Sequence, residues 1–289
     1  MSDNTLIYPA FDPSPATPPT QAVRSALSAT TISLPDPALR TYLDALLTAL
    51  DPRPALHLLL ASPLGNALLP EVAALDIDQG SSKLHKDNLT HSITVAYQAP
   101  ARPRLRWAAL LHDIGKPPTR KIEGTKVTFY NHEQVGRGMA RRLLGRLGYP
   151  ADFAEQVSQL VEISGRTHGF DETWTDSALR RFAREAGDLV ADALDLSRAD
   201  CTSARPGRRA EVAAQVDAVA QRLSAVLAAD AAAALRPALT GDQIMAILDL
   251  PPSPRVGEAY RYLLSLARAG EQLTPAQATA RLRAWAATQ

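Results

Sequence analysis

From Asp36 onward, apolar residues recur at intervals of three and four: Leu39, Tyr42, Leu43, Leu46, Leu47 and Leu50 line one face of a helix. Short helices are predicted near Ala55–Ala61 and Leu64–Leu75, followed by a loop over Asp76–Ser82. A further helix begins at Asp87-Asn88, either of which can cap it, and carries His91 and Val95 on one face. Residues 103–114 are apolar nearly all round (Leu105, Trp107, Ala108, Ala109, Leu110, Leu111), which marks a central helix. Gly115 and Pro117-Pro118 are expected to stop it. Lys121–Tyr130 alternates around Gly124-Thr125 and predicts a small β-hairpin, the one clear strand signal. Helices resume near Glu133–Leu147, Ala151–Ile163, Thr175–Glu185 and Asp188–Ala199, and an Ala-rich helix runs from Arg209 to near Ala229. Three short helices fill Thr240–Gln289, separated by Pro251-Pro252 and Thr274-Pro275. The pattern is that of an all-α fold with one small β-hairpin, without internal repeats or coiled-coil heptads.

Composition changes this picture mainly at the N-terminus. Residues 1–35 hold Pro9, Pro13, Pro15, Pro18, Pro19 and Pro35 among Ser, Thr and Ala, so a partly disordered segment is expected there. The 289 residues, 46% hydrophobic, leave ample material for a core, and the low aromatic content of 5% with abundant Ala, Leu and Arg favours helix. A formal charge of +1 gives no global attraction to nucleic acid, so local basic groups must carry any such argument. The single Cys201 excludes an internal disulfide and fits a reducing cytoplasm. No apolar run is long enough to span a bilayer, and the N-terminus has no basic-then-apolar signal. A cytoplasmic protein without a membrane partner is expected.

The chemistry concentrates around His112-Asp113, set in Leu110-Leu111-His112-Asp113-Ile114-Gly115-Lys116-Pro117 at the end of the apolar helix. A carboxylate among leucines must be hydrogen-bonded, paired or bound to a metal. Five of the six histidines lie between positions 85 and 168. His91 sits one helix before the dipeptide, His132 follows the hairpin, His168 follows another helix, and Asp200 ends a later one. Imidazole and carboxylate suit manganese, iron, nickel, zinc or, more weakly, magnesium. Each residue alone has an ordinary structural explanation: Asp200 could pair with Arg198, His132 could close the hairpin, His168 could end a helix. The order His, His-Asp, His, His, Asp on successive helices favours one shared site.

That order resembles the HD superfamily of metal-dependent phosphohydrolases, an all-helical fold. The surrounding text is more specific. His85-Lys86-Asp87-Asn88-Leu89-Thr90-His91, Arg106-Trp107-Ala108-Ala109-Leu110-Leu111-His112-Asp113 and Asn131-His132-Glu133-Gln134-Val135-Gly136 resemble the HD region of bacterial CCA-adding tRNA nucleotidyltransferases. Trp174–Arg181 and Arg198–Thr202 do so as well, and the similarity covers roughly residues 36–289. It implies neck-like helices over 36–80, an HD domain over 81–208, and a C-terminal helical region over 209–289 that is a candidate for RNA binding. The Asp-x-Asp spelling at Asp76-Ile77-Asp78 lacks a preceding Gly-Ser strand, so the expectation is the back half of such an enzyme without its nucleotide-adding head.

The resemblance implies His91, His112, Asp113 and Asp200 as ligands of a first divalent ion. His132 and His168 would complete a second, with Asp113 bridging. It also implies hydrolysis of nucleotide or RNA 3′-end phosphoesters, 2′,3′-cyclic phosphates among them, by metal-activated water. Lys116, three residues past the dipeptide, is within reach of a substrate phosphate, or else is a solvent-facing lysine at a helix end. His85 is a candidate substrate contact or general acid, and Arg120, Arg137, Arg141 and Arg166 are candidate cleft arginines or surface salt-bridge partners. Arg205, Arg208, Arg209, Arg255, Arg261 and Arg268 are candidate phosphate contacts or solvated helix faces. Two alternatives stand beside the phosphodiesterase: a tRNA- or RNA-binding module with little turnover, and an HD-type hydrolase of deoxynucleoside triphosphates or alarmones.

Overall fold

The computed structural model describes residues 34, 37–77, 87–124, 126–167, 170 and 173–288. The Pro-rich stretch before Ser33, His85, His168 and most of the loop expected over 76–82 lie outside the described residues. The chain divides into two compact units, Met1–Gln221 and Arg222–Gln289, and the boundary falls inside one helix.

In the first unit α1 (Pro37–Thr48), α2 (Arg53–Leu60), α3 (Pro63–Leu68) and α4 (Pro70–Ala73) precede α5 (Asn88–Gln98) and α6 (Pro103–Leu111). A one-turn α7 (Lys116–Thr119) leads into β1 (Lys121–Glu123) and β2 (Lys126–Thr128). Then come α8 (His132–Arg146), α9 (Ala151–Thr167), α10 (Asp176–Ala186), a 3-10 turn over Gly187–Leu189 and α11 (Val190–Ala199), and α12 (Arg208–Ala234) begins in the first unit and ends in the second. Proline opens α2, α3, α4 and α6 within the first turn, where its missing N–H costs nothing. Asp87 caps α5 as expected, accepting from the backbone N–H of Leu89 and Thr90. The hairpin pairs Lys121 with Thr128, Ile122 with Val127 and Glu123 with Lys126, around Gly124 at φ +61°.

Three boundaries differ from the expectation. The helix expected to include Leu50 ends at Thr48, and Leu50 is 96% exposed rather than on the buried face. The helix predicted over Leu64–Leu75 is α3 and α4, interrupted at Leu69-Pro70, because Pro70 cannot donate to the ladder. The helix predicted through residue 114 ends at Leu111, and residues 112–115 form a turn closed by Ile114 N–H to Leu111 O and Lys116 N–H to Asp113 O. Pro117 is the cause: in a continuous helix its ring would meet the carbonyl of Asp113. His112 and Asp113 therefore sit just past the helix rather than in its last turn.

α6 is the central element, packed against α1, α5, α9 and α11. Leu105, Trp107, Ala108, Ala109, Leu110 and Leu111 are all fully buried. The Trp107 indole donates to Asp44 Oδ1 (2.8 Å) and to the Tyr149 hydroxyl (3.0 Å), so its one polar group is satisfied in the core. Arg106 is the exception on this helix, a cation only 5% exposed. Its guanidinium donates to the carbonyls of Leu47 (2.6 Å), Ala49 (2.6 Å) and Ala99 (3.0 Å). It thereby satisfies carbonyls at and just past the C-termini of α1 and α5, which have no intrahelical partner. α8 and α9 pack along their lengths, with Arg137 bound to Glu155 (2.6 Å) and Glu162. The long α12 buries Val216, Val219, Leu223 and Val226 at intervals of three and four.

In the second unit, α13 (Gly241–Leu248), α14 (Pro254–Arg268) and α15 (Pro275–Ala287) enclose Leu239, Ile244, Ala259, Leu263, Ala278 and Leu282. Thr240 with Gln243 and Thr274 with Gln277 form reciprocal capping boxes that start α13 and α15. Tyr262 stacks on Trp285 with centroids 5.6 Å apart.

Arg106→Lys should lower the urea-unfolding free energy of the first unit by roughly 3 kcal/mol, because a compact ammonium lacks the planar five-donor fork that reaches the carbonyls of Leu47, Ala49, Ala99 and Tyr97 together. An unchanged midpoint would show that these carbonyls are satisfied without the fork.

Candidate metal centre

Four segment ends meet beside α6. α5 supplies His91, the turn after α6 supplies His112 and Asp113, the first residue of α8 is His132, and Asp200 caps the C-terminus of α11. The packing of α5 on α6, α11 on both, and α7 on α8 brings these ends together.

Each described histidine of the cluster is held through Nδ1. His112 Nδ1 donates to Ala109 O (2.8 Å), His132 Nδ1 donates to Phe129 O (2.9 Å), and His91 Nδ1 pairs with Thr202 Oγ1 (2.9 Å). Nε2 is thus directed at the carboxylates in all three. His91 Nε2 is 3.0 Å from Asp200 Oδ1 and 3.9 Å from Asp113 Oδ2. His112 Nε2 is 3.3 Å from Asp113 Oδ2 and 3.5 Å from Asp200 Oδ1. His132 Nε2 approaches the other oxygen of Asp113, Oδ1, at 3.5 Å. Asp113 therefore faces His91 and His112 with one oxygen and His132 with the other.

Among the described residues, His91, His112 and Asp200 form a group whose ligand atoms all lie within 4.8 Å of one another. His112 Nε2 is buried and makes no hydrogen bond although two carboxylates lie close. A buried donor position left open beside carboxylate oxygens, in a set of imidazoles and acids, fits a divalent cation. The electrostatics agree. Burial disfavours the His112 imidazolium, yet the Asp113 and Asp200 carboxylates outweigh it and push His112 up to about 9. Burial likewise works against the Asp113 carboxylate, which His112, His132 and Lys116 nonetheless hold far below the usual carboxylate range. The pocket is built to contain positive charge.

Glycine makes the approach possible. A Cβ on Gly115 would lie 1.9 Å from His132 O and 2.7 Å from Gly136 N, so the turn after Asp113 touches the backbone of α8 directly. Gly115 has an ordinary φ of −79°; contact, rather than a helix stop, requires glycine here. Asn131, at φ +61°, reverses the chain between the hairpin and His132.

The remaining candidates separate. Lys116 is half-buried and its ammonium donates to Asp113 Oδ2 at 2.6 Å, so it belongs to the centre rather than to the solvent. Arg120 lies half-buried between α7 and β1. Arg166 is paired with Glu185 of α10, and Arg137 and Arg141 face Glu155. Arg198 goes to Asp195 and Asp217, which leaves Asp200 to the histidines. Arg205 and Arg208 both pair with Glu211. His85 and His168 lie outside the described residues. Two supporting residues escaped the sequence reading: Thr202, which orients His91, and Gln98, which donates to Ala199 O (2.6 Å) and Cys201 O (3.2 Å) on either side of Asp200. Thr202 stood in a quoted motif without a role, and nothing in the text around Gln98 distinguishes it.

Beside this mainly helical unit, with histidines and aspartates gathered at helix ends, stands a match to a known class: residues 88–205 match the HD domain family. More particularly, the chain is 33% identical over 264 residues, 88% of its length, to the A-adding tRNA nucleotidyltransferase of Deinococcus radiodurans. It is 34% identical over 248 residues, 82% of its length, to the CC-adding tRNA nucleotidyltransferase of Thermus thermophilus. The chain is homologous to these enzymes over most of its own length and spans 60% and 54% of theirs. Among the described residues no helix is long and apolar enough to cross a membrane.

Two outcomes follow. In chelated protein, His112 sits at about 9 against an ordinary 6.5. Its contribution to stability is therefore complete below about pH 6.5 and is lost as pH rises through about 9. A cation must displace that proton, so calorimetry at pH 7 in buffers of different ionisation enthalpy should report release of about one proton per ion bound. Second, Gly115→Ala should destabilise the fold by roughly 1–3 kcal/mol and weaken metal binding. Gly145→Ala, also on α8 but with nothing within 4 Å of the added Cβ, should do neither.

Proposed function

We propose that the centre is that of a metal-dependent phosphohydrolase acting on nucleotide or RNA 3′-end phosphoesters, with 2′,3′-cyclic phosphates as its preferred class. One observation carries this reading: three histidines, each anchored through Nδ1, turn Nε2 toward a pair of buried or half-buried carboxylates. His91, His112, Asp113 and Asp200 would hold a first cation. His132, on the far oxygen of Asp113, would help hold a second together with His168.

A divalent ion bound there supplies charge neutralisation for phosphate oxygens and a lowered pKa for an attacking water. The chain's own groups do the rest. Asp113 holds its charge deep in the fold, the Nδ1 bonds fix the imidazole orientations, and Lys116 offers a compact positive charge to the substrate phosphate. The relatives are tRNA nucleotidyltransferases, which supports an RNA 3′ end or a nucleotide derived from one as the substrate, with tRNA as a candidate.

Elemental analysis of protein purified without added metal, followed by a phosphoester panel, tests the proposal. Hydrolysis of 2′,3′-cyclic nucleotides that chelation abolishes, and that Asp113→Ala and Asp200→Ala each reduce by at least about 100-fold, is expected. Hydrolysis unaffected by chelation and by both substitutions would sink it, as would salt-sensitive tRNA binding without any turnover.

A further inference from the structure

The first unit exposes few large apolar side chains, and they are not scattered. Among the described residues they are Leu50 (96%), Ile122 (60%), Tyr130 (66%) and Val135 (37%). The last three lie on the hairpin and the first turn of α8, flanking His132 in sequence. Ile122 and Val127 are directly paired across the hairpin and so share one face. Phe129, half-buried, follows directly after β2, while Thr128, paired with Lys121 on the other face, is buried. A two-stranded hairpin of three residues per strand gains nothing from an apolar outward face, and such a face marks a contact surface.

This face is continuous with the candidate metal centre. The Lys116 ammonium lies 5.9 Å from the Phe129 ring centroid and 2.6 Å from Asp113 Oδ2, so one cation touches both the aromatic end of the strip and the central carboxylate. Phe129 also provides the carbonyl that orients His132. Lys116 brings positive charge to the Phe129 end of the apolar residues, and Arg120 directly precedes β1 in sequence. Flat apolar surface with a cation at one end, beside a site for phosphate, matches a molecule with a planar ring at one end and a phosphate at the other.

We infer that the hairpin is a nucleobase platform: the base of the substrate rests on the Ile122, Val127 and Phe129 face, flanked by Tyr130, while its phosphate reaches Lys116 and the metal centre. This rests on the phosphoester reading above and assigns the residues that would hold the base of such an ester. Stacking on such a face is tolerant of base identity, because every base has a π-face.

The experiment compares metal-loaded wild type with an Ile122→Ser/Tyr130→Ser variant, both sites being exposed enough that folding is unaffected. Calorimetric binding of adenosine 3′-monophosphate, ribose 3-phosphate and adenosine is read beside hydrolysis of cyclic phosphates with and without a base. Wild type should bind the nucleotide about tenfold tighter than the ribose phosphate, the variant should lose that advantage, and ribose phosphate binding should stay unchanged. Tyr130→Phe, which keeps the ring, should bind as wild type.

Equal wild-type affinity for nucleotide and ribose phosphate overturns the platform, as does a variant that binds the nucleotide unchanged. Self-association of wild type that the variant abolishes, with nucleotide binding untouched, assigns the face to a second copy and also overturns it. The two readings fail separately. Hydrolysis of a base-free cyclic phosphate at the nucleotide's rate and affinity keeps the phosphohydrolase and discards the platform. Variant-sensitive adenosine binding with no phosphoester hydrolysed does the reverse.

Discussion

A carboxylate only 2% exposed at the end of a leucine-rich helix demands compensation from everything around it. Asp113 obtains it from the Lys116 ammonium and from imidazoles on three different segments. The geometry of the first unit follows from this requirement. α5 lies against α6 so that His91 arrives, α11 ends where Asp200 can share the same imidazoles, and α8 begins at His132. Replacing the polar cluster by apolar side chains would satisfy the core equally well. A cluster retained in spite of its desolvation cost therefore argues for chemistry rather than stability.

Bringing α8 to Asp113 constrains the chain at two places. Gly115 surrenders its Cβ space to the His132 carbonyl, and Asn131 takes a left-handed conformation that few side chains tolerate. Both flank groups that touch Asp113, and neither contributes to the core. Pro117 completes the device by ending α6 early, so that His112 and Asp113 project from a turn with their Nδ1 and backbone groups already engaged. Turn, tight contact and reversed residue together fix imidazole orientation more firmly than a helix surface could.

Much of this was legible in the text of the chain. The periodicity of Leu39–Leu47, the mostly apolar stretch from residue 103 and the Gly124 hairpin each became the predicted type of element, although Leu50 and residues 112–114 fall outside the helices expected to include them. The order of His91, His112-Asp113, His132 and Asp200 foretold residues that do come together. What stayed hidden depends on long-range geometry. Arg106 reads as a surface cation interrupting an apolar run, and only the meeting of the α1 and α5 C-termini reveals three carbonyls waiting for it. Gly115 reads as a helix stop, since a sequence cannot display a backbone contact with His132. Arg166 read as a cleft residue because Glu185, its partner, is a helix away.

Lys116 links the two parts of the functional reading. Its ammonium holds Asp113 Oδ2, the oxygen that also faces His91 and His112. A divalent charge on that oxygen would set like charges against each other at close range, where the effective dielectric is far below that of water. Lys116 is half-buried at the start of α7. Of the neighbours around it, the Phe129 ring attracts a cation only weakly at 5.9 Å. A phosphate brought in beside that ring is the partner with the opposite charge. On the proposed reading, the residue that neutralises Asp113 in the protein alone would be the one released to hold substrate once the centre is filled, which would couple loading of the site to substrate recognition.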